Sequence, residues 1–407
     1  MENKDLLTRR VAKILPDRTG LEKLIAGKKI RLYQGFDPTG GHLHLGHAVG
    51  MRKLMEFADA DHEVIFLFGT GTVLVGDPSL RDTGRKLITQ EEIDDNIKDW
   101  KRQVSPIVDF DKVTIRQNGD WLTKLNLKDI IGIASNISAT QLFKRESFTR
   151  RIEKGDPVWY HETMYPLLQG YDSVVMDVDL EIGGTDQEFN MLVGRELQKK
   201  MNNRDKYVLM TPMIPGTDGK KMSKSTGNCI FLDDAPEVIY TKLMAVQDSL
   251  MSTYFELLTD LSMDEIASLD PSKPIENKKR LAYDITRQLH GEAGAKAGAT
   301  YYDTVVQPKV APSDLPVVTV KSGTPVLDIL KLANLGVSNS EIKRMLEQGG
   351  VEVKDDILKF GKHTFRKIIY EPWAINYELN SPPAQDLDRD YRHLHPGSSG
   401  HVVCTIL

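Results

Sequence analysis

Cysteine is nearly absent: Cys229 and Cys404 are the only two in 407 residues, far apart and without metal-ligand spacing. A disulfide framework and a structural zinc site thereby find no support, and a reducing compartment fits. No run of about 18 apolar residues occurs, as a bilayer-spanning helix needs. The charged start, Met1 to Lys13, has no apolar segment of signal-peptide length. The expectation is a cytoplasmic protein with no membrane association. Charge of one sign is lacking too, since 53 Lys and Arg face 58 Asp and Glu for a net of −5. Any nucleic-acid surface must be a local patch. What is present is a chain that is 40% hydrophobic and long enough for two or three domains, each with its own core.

Ile30 to Phe36 reads as a strand, and Asp37-Pro38-Thr39-Gly40-Gly41 as the loop that ends it. Ala48, Met51, Leu54 or Met55, and Ala58 then recur at helical spacing, and Val64 to Phe68 is a short buried strand, completing a β-α-β unit. Further strands are expected at Val113 to Ile115, Ser173 to Met176, Leu180 to Ile182 and Tyr207 to Met210, alternating with helices. That pattern predicts an α/β domain with a mostly parallel sheet over residues 1–230, whose ligands bind at the carboxyl ends of the strands. A separate helical domain is expected over 231–310, broken at Pro271 and Pro274. Pro308, Pro312 and Pro316 mark a linker, placed at 311–323, before a small α/β module at 324–369. Residues 370–407 have no period and receive no assignment.

Leu43-His44-Leu45-Gly46-His47 sits where the first strand hands over to a helix, a place where free backbone N–H groups and the helix dipole favour phosphate. Stabilising charge on a transferring phosphate calls for preorganised donors rather than a nucleophile, and His44, His47 and Thr39 are of that type. Gly46, lacking Cβ, allows a planar base or ribose close to the helix start. Alone, the motif also fits surface histidines or other nucleotidyl transferases. Far downstream, Lys220-Lys221-Met222-Ser223-Lys224-Ser225 lies between glycines after an expected strand. It reads as a mobile loop whose Lys221 and Lys224 close over a phosphate chain in the transition state.

The two motifs together carry a resemblance. His44-Leu45-Gly46-His47 resembles the HIGH signature, with Leu for Ile, and Lys221 to Ser225 is letter-perfect KMSKS, the pair that marks class I aminoacyl-tRNA synthetases. Tyr165, Gln169 and Asp172 share one face of an expected helix in whose first turn Pro166 is tolerable. Such a stripe of phenol, amide and carboxylate favours a polar ligand when buried. Together with Tyr33-Gln-Gly-Phe-Asp-Pro-Thr39, Gly76-Asp77-Pro78-Ser79 and Ile182-Gly-Gly-Thr-Asp-Gln187, it is similar to the tyrosyl-tRNA synthetases, in order, over about residues 30 to 370. Glu188-Phe189-Asn190 stands where many bacterial members have Trp-Gly-Asn, resembling the second bacterial subtype.

The resemblance implies a Rossmann-like catalytic domain, a helical tRNA-binding domain and an S4-like RNA-binding module. It implies L-tyrosine, ATP with Mg²⁺ and tRNA(Tyr) as substrates, no tightly bound cofactor and no resident metal. Tyr33 and Asp172 resemble the pair that binds the substrate's phenolic hydroxyl. Asp77, Tyr165 and Gln169 resemble the binders of its ammonium. Gln187, with Gly184 and Asp186, would line the ribose and activated carbonyl, while Gly35, Asp37, Gly46 and Lys224 belong to the ATP side. Lys343 and Arg344 of the S4-like stretch could meet RNA phosphates. A homodimer through the catalytic domain, around Ile130 to Leu142, is implied as well. A tryptophan-specific relative and a catalytically inactive RNA-binding derivative remain the rival readings, against which Tyr33, the intact motifs and the S4-like module speak.

Overall fold

The structure is a computed structural model that describes residues 5–78, 88–222, 227–307, 315–354, 356–361 and 364–371. Contacts divide the chain into two compact units, Met1–Val310 and Ala311–Leu407. In the first, six strands β1 (Lys13–Leu15), β2 (Arg31–Phe36), β3 (Glu63–Phe68), β4 (Thr114–Gln117), β5 (Leu180–Gly184) and β6 (Tyr207–Thr211) form one sheet in the order β1-β6-β5-β2-β3-β4. All neighbours run parallel except β1, antiparallel to β6. The apolar run Val-Ile-Phe-Leu-Phe of β3 is buried on both faces, as a central parallel strand requires. Chain order reverses between β2 and β5, which opens a crevice at their carboxyl ends.

Two helices frame that crevice. Leu45–Asp59 follows β2, with His44 as its N-cap: the His44 side chain accepts from the Gly46 N–H, and the His47 ring accepts from the His44 N–H. Tyr160–Met176 packs along Glu188–Asn202 where Gly170 and Gly194 face each other. The strand expected at Ser173 to Met176 is instead the last turn of the Tyr160–Met176 helix. Its Val174-Val175 pair suits either state, and packing against the second helix decides. Pro166 is also not in the first turn. The helix starts six residues earlier, at Tyr160, so the ring lies in its interior, where it removes one backbone hydrogen bond that tertiary packing must offset.

The stretch expected as a helical domain is helical, with Pro236–Met244, Met251–Leu258, Met263–Ala267 and Pro274–Tyr301, the last broken by a kink at Gly291, where φ is +71°, and opened by Pro274 at its first turn. It lies in the same compact unit as the sheet. Leu243, Phe255, Leu281 and Ile285 share one core with Leu32, Val49, Leu54 and Phe66. A buried ion cluster adds to the join: the Arg10 guanidinium donates to Glu56 and to the Leu257 carbonyl, and Lys53 donates to Glu56 at 2.6 Å. Burial pushes the Lys53 ammonium down to about 8.

In the second unit, β7 (Val317–Lys321), β8 (Val351–Lys354), β9 (Ile357–Phe360) and β10 (Thr364–Glu371) form a sheet in the order β7-β10-β9-β8. Helices Val326–Leu332 and Asn339–Glu347 pack on it through Ile329, Leu330 and Ile342. The module thus begins at β7, seven residues before the expected start at 324, because β7 pairs in parallel with β10. Gly349, at φ +67°, turns the second helix into β8. Of the linker prolines, Pro308 and Pro312 lie outside the described residues, as does the tail from 372.

Candidate active site

The carboxyl ends of β2 and β5 open on a cleft of about 360 Å³. Most of the residues expected at a ligand site line it: Tyr33, Gly35, Asp37, Thr39, His44, His47, Asp77, Tyr165, Gln169, Asp172, Asp186 and Gln187. Gly46, Gly184 and Lys221 do not line it, and Lys224 lies outside the described residues. Lys343 and Arg344 are exposed on the Asn339–Glu347 helix of the second unit, where Arg344 pairs with Glu341.

The polar groups of the cleft are held by three buried networks. In the first, the Asp172 carboxylate accepts from Asn118 Nδ2 at 3.0 Å and Trp121 Nε1 at 2.9 Å. Burial pushes its pKa well up, those two donors pull it back, and Glu181 and Asp37 add to the rise. Asn118 also donates to Thr72 at 3.0 Å, and Thr72 donates to Asp37 at 2.7 Å. Asp37 accepts from the Tyr165 hydroxyl at 2.9 Å. Burial, then the charge of Asp37, raises the Tyr165 phenol well above its ordinary value, so it stays a donor at neutral pH.

The second network holds Tyr33. Its hydroxyl lies 2.9 Å from Ser173 Oγ, which lies 2.7 Å from Lys206 Nζ, and Lys206 is paired with Glu181. Gln169 donates to the other oxygen of Glu181 at 3.2 Å. The third surrounds Asp77, which accepts from Arg145 at 3.0 Å and from Gln187 at 2.8 Å. Asn190 donates to Gln187 Oε1 at 2.9 Å and so sets that amide's orientation. Nearby, burial and then Asp77 raise the Asp186 carboxyl, and the Lys221 ammonium offsets part of the rise.

The structure gives Gly46 a local packing role. A Cβ there would meet the His44 ring at 2.8 Å, so glycine lets that ring fold back over the helix start as its cap. The two histidine rings lie 4.1 Å apart between centroids at the cleft rim. Gly184 likewise leaves room for Asp186, whose Oδ1 would be 2.5 Å from a Cβ.

Sequence reading missed Ser173, Glu181, Lys206, Asn118, Trp121, Thr72 and Arg145. Glu181 carried a signal, as a charged residue inside the apolar strand Leu180–Gly184, and Lys206 adjoins an apolar strand in the same way. The others look like ordinary loop or helix residues until the fold brings them together.

The profile for tRNA synthetases class I (W and Y) matches residues 26–307. The tyrosine–tRNA ligase of Dehalococcoides mccartyi is 38% identical over 386 residues, covering 89% of this chain and 98% of that one. That of Bordetella pertussis is 42% identical over 338 residues, covering 81% and 82%. Among solved structures, the C-terminally truncated mitochondrial tyrosyl-tRNA synthetase of Aspergillus nidulans superposes with a TM-score of 0.64 at 21% identity, over 74% of this chain and 97% of that one, a likeness of fold. With a profile over more than half its length and near full-length relatives of one kind, the chain belongs to the tyrosine–tRNA ligases, a branch of the class I tRNA synthetases.

Proposed function

We propose that this one cleft carries out both half-reactions of tyrosine–tRNA ligation. The chain activates L-tyrosine with ATP, supplied as its Mg²⁺ complex, and passes the tyrosyl group to the 3′ end of tRNA(Tyr). In the first step a tyrosine carboxylate oxygen attacks the α-phosphorus in line and pyrophosphate leaves, giving tyrosyl-adenylate. In the second the terminal ribose hydroxyl attacks the acyl carbonyl and AMP leaves. Neither step needs a covalent enzyme intermediate, so positioning and charge stabilisation carry the rate.

The observation that carries this reading is the convergence, at the switch point of the sheet, of phenol-reading and ammonium-reading groups beside the paired histidines. Tyr33 and Asp172 take the phenolic hydroxyl at the buried end. Asp77, Tyr165 and Gln169 take the ammonium, and Gln187 the carboxylate. His44, His47 and Thr39 face the triphosphate, with Lys221 and Lys224 closing over it. Gly35 is open toward the cleft, with Leu67 3.7 Å from where its Cβ would stand, so a nucleotide can approach the backbone there. Asp37, Gly46, Gly184 and Asp186 shape the adenosine side. The second unit, with Lys343 and Arg344, and the 231–310 helices bind the tRNA.

Leu127 and Ile131, on the Leu127–Ala134 helix, are 72% and 58% exposed, an unusual cost for a monomer. We propose that they meet a second copy in a homodimer. Replacing both with glutamate yields a monomeric mass by light scattering; an unchanged mass sinks this assignment. The cytoplasm is the proposed location, and no helix among the described residues is long and apolar enough to cross a membrane.

The experiment is amino-acid-dependent exchange of labelled pyrophosphate into ATP with tyrosine, phenylalanine and tryptophan offered separately. Exchange with tyrosine alone supports the assignment. Exchange with tryptophan, or with none in folded protein, overturns it.

A further inference from the structure

At the buried end of the cleft, which Glu181 lines, lies a Lys206–Glu181 ion pair to which the proposed half-reactions give no role. Lys206 and Ser173 are 0% exposed, Tyr33 is 1% and Glu181 2% exposed. Burying a charged pair is costly unless every donor and acceptor is matched, so its hydrogen bonds report what it is for. An ammonium can only donate. Lys206 donates to Glu181 and, at 2.7 Å, to Ser173 Oγ. Its ammonium also lies 5.9 Å from the centroid of the Tyr33 ring.

Ser173 has one proton and two neighbours able to accept it. Tyr33 Oη is at 2.9 Å and Glu181 Oε2 at 3.5 Å. Hydroxyl hydrogen bonds run from about 2.5 to 3.0 Å, so the proton goes to Tyr33. The Tyr33 hydroxyl then receives from inside, and its own proton has two places to go: the Glu181 carboxylate, which after burial itself also raises the phenol's pKa, or a substrate oxygen in the cleft that Tyr33 lines. We infer that Lys206, neutralised by Glu181, heads a one-way hydrogen-bond relay through Ser173 that fixes Tyr33 as a donor toward the substrate, making Ser173 and Lys206 positioning residues for phenol recognition.

The polarity matters because the Asp172 carboxylate, already accepting from Asn118 and Trp121, offers a phenol an acceptor only. A phenolic hydroxyl between Tyr33 and Asp172 therefore accepts from the first and donates to the second, whereas a benzene ring leaves both buried groups unmatched. Glu181 acts on Gln169 by the same logic. It takes the amide N–H, so the Gln169 carbonyl oxygen, buried and without a protein partner, is what the cleft presents to a cationic donor. Gly194 fits the scheme: a Cβ there would stand 2.7 Å from Lys206 Nζ and 3.0 Å from Ser173 Oγ.

This inference rests on the tyrosine-activating reading, and the test separates the two. Ser173→Ala is the principal variant, since it removes the relay without leaving a charge unpaired. In pyrophosphate exchange, tyrosine kcat/KM falls about tenfold, chiefly through KM, as for the loss of one buried hydrogen bond. Phenylalanine kcat/KM and the ATP KM stay unchanged, so discrimination falls by the same factor. Lys206→Met with Glu181→Gln, which removes both charges together, reproduces the drop in the tyrosine-to-phenylalanine ratio. Equal losses for both amino acids, or an unchanged ratio, overturn the relay. Absence of tyrosine exchange in the unmodified protein overturns the functional reading itself.

Discussion

Replacing Gly170 with alanine sets two effects of opposite sign against each other at the helix pair that carries the cleft. Inside a helix, alanine is favoured over glycine by about 1 kcal/mol. Against this, the new Cβ would lie 2.9 Å from Leu197 Cδ1, 3.0 Å from Gly194 N and 3.1 Å from Gly194 Cα. Two of these three atoms are backbone and cannot swing away, so helices Tyr160–Met176 and Glu188–Asn202 must part by a few tenths of an ångström. Overpacking of this kind costs roughly 1–3 kcal/mol, and a backbone contact belongs at the upper end. The clash wins, and the variant is destabilised by about 1–2 kcal/mol. With a urea slope of about 3 kcal/mol/M, the unfolding midpoint falls by roughly 0.5 M. Gln169 and Asp172 ride on the first helix and Gln187 caps the second, so tyrosine KM rises as well. Gly27→Ala, at the end of Arg18–Gly27 with no heavy atom within 4 Å of the new Cβ, serves as the control and is neutral or slightly stabilising. A Gly170→Ala protein as stable as the unmodified chain would refute the argument.

Asp172 sets a pH dependence. Its folded pKa lies above the ordinary 3.8, so the folded state binds the proton more tightly than the unfolded chain. Its stabilising contribution is full below the unfolded pKa and is lost as pH rises through the folded one. With Asp172 paired to the substrate phenol as proposed, recognition runs the other way, since only the carboxylate accepts. Tyrosine kcat/KM therefore has an acid limb above the ordinary aspartate range, and Asp172→Asn lowers the plateau and removes that limb; a retained limb assigns it to another group. If His47 and Lys224 act on the transferring phosphate as proposed, His47→Ala and Lys224→Ala lower kcat of exchange more than they raise tyrosine KM. A rise in tyrosine KM at constant kcat counts against those roles. Lys343→Ala with Arg344→Ala weakens tRNA binding and reduces its salt dependence by about 1 per charge removed, leaving exchange intact. An unchanged slope in a salt titration places the RNA contacts elsewhere.

The sequence by itself determined the class and much of the cleft. A strand, a Pro-Gly loop and a following helix are legible from local chemistry, and the apolar run of β3 reads as a short buried strand; the His44 cap and the central place of β3 in the sheet come from the structure. Tyr165, Gln169 and Asp172 share a face because helical spacing makes them do so. These features are local, and local periodicity carries them. Ser173 to Met176 misled for the same reason: β-branched residues suit either state, and only the helix packed alongside chooses. Tertiary structure alone decided that the helices of 231–310 share the core of the sheet unit, since Leu281 and Phe66 lie more than two hundred positions apart. It alone decided that Lys206, just before β6, reaches Ser173 on a helix and Glu181 on β5. A buried ion pair has no periodicity. Its partners are chosen by the need to match every charge and proton away from water, and that need arises only once the chain has folded around them.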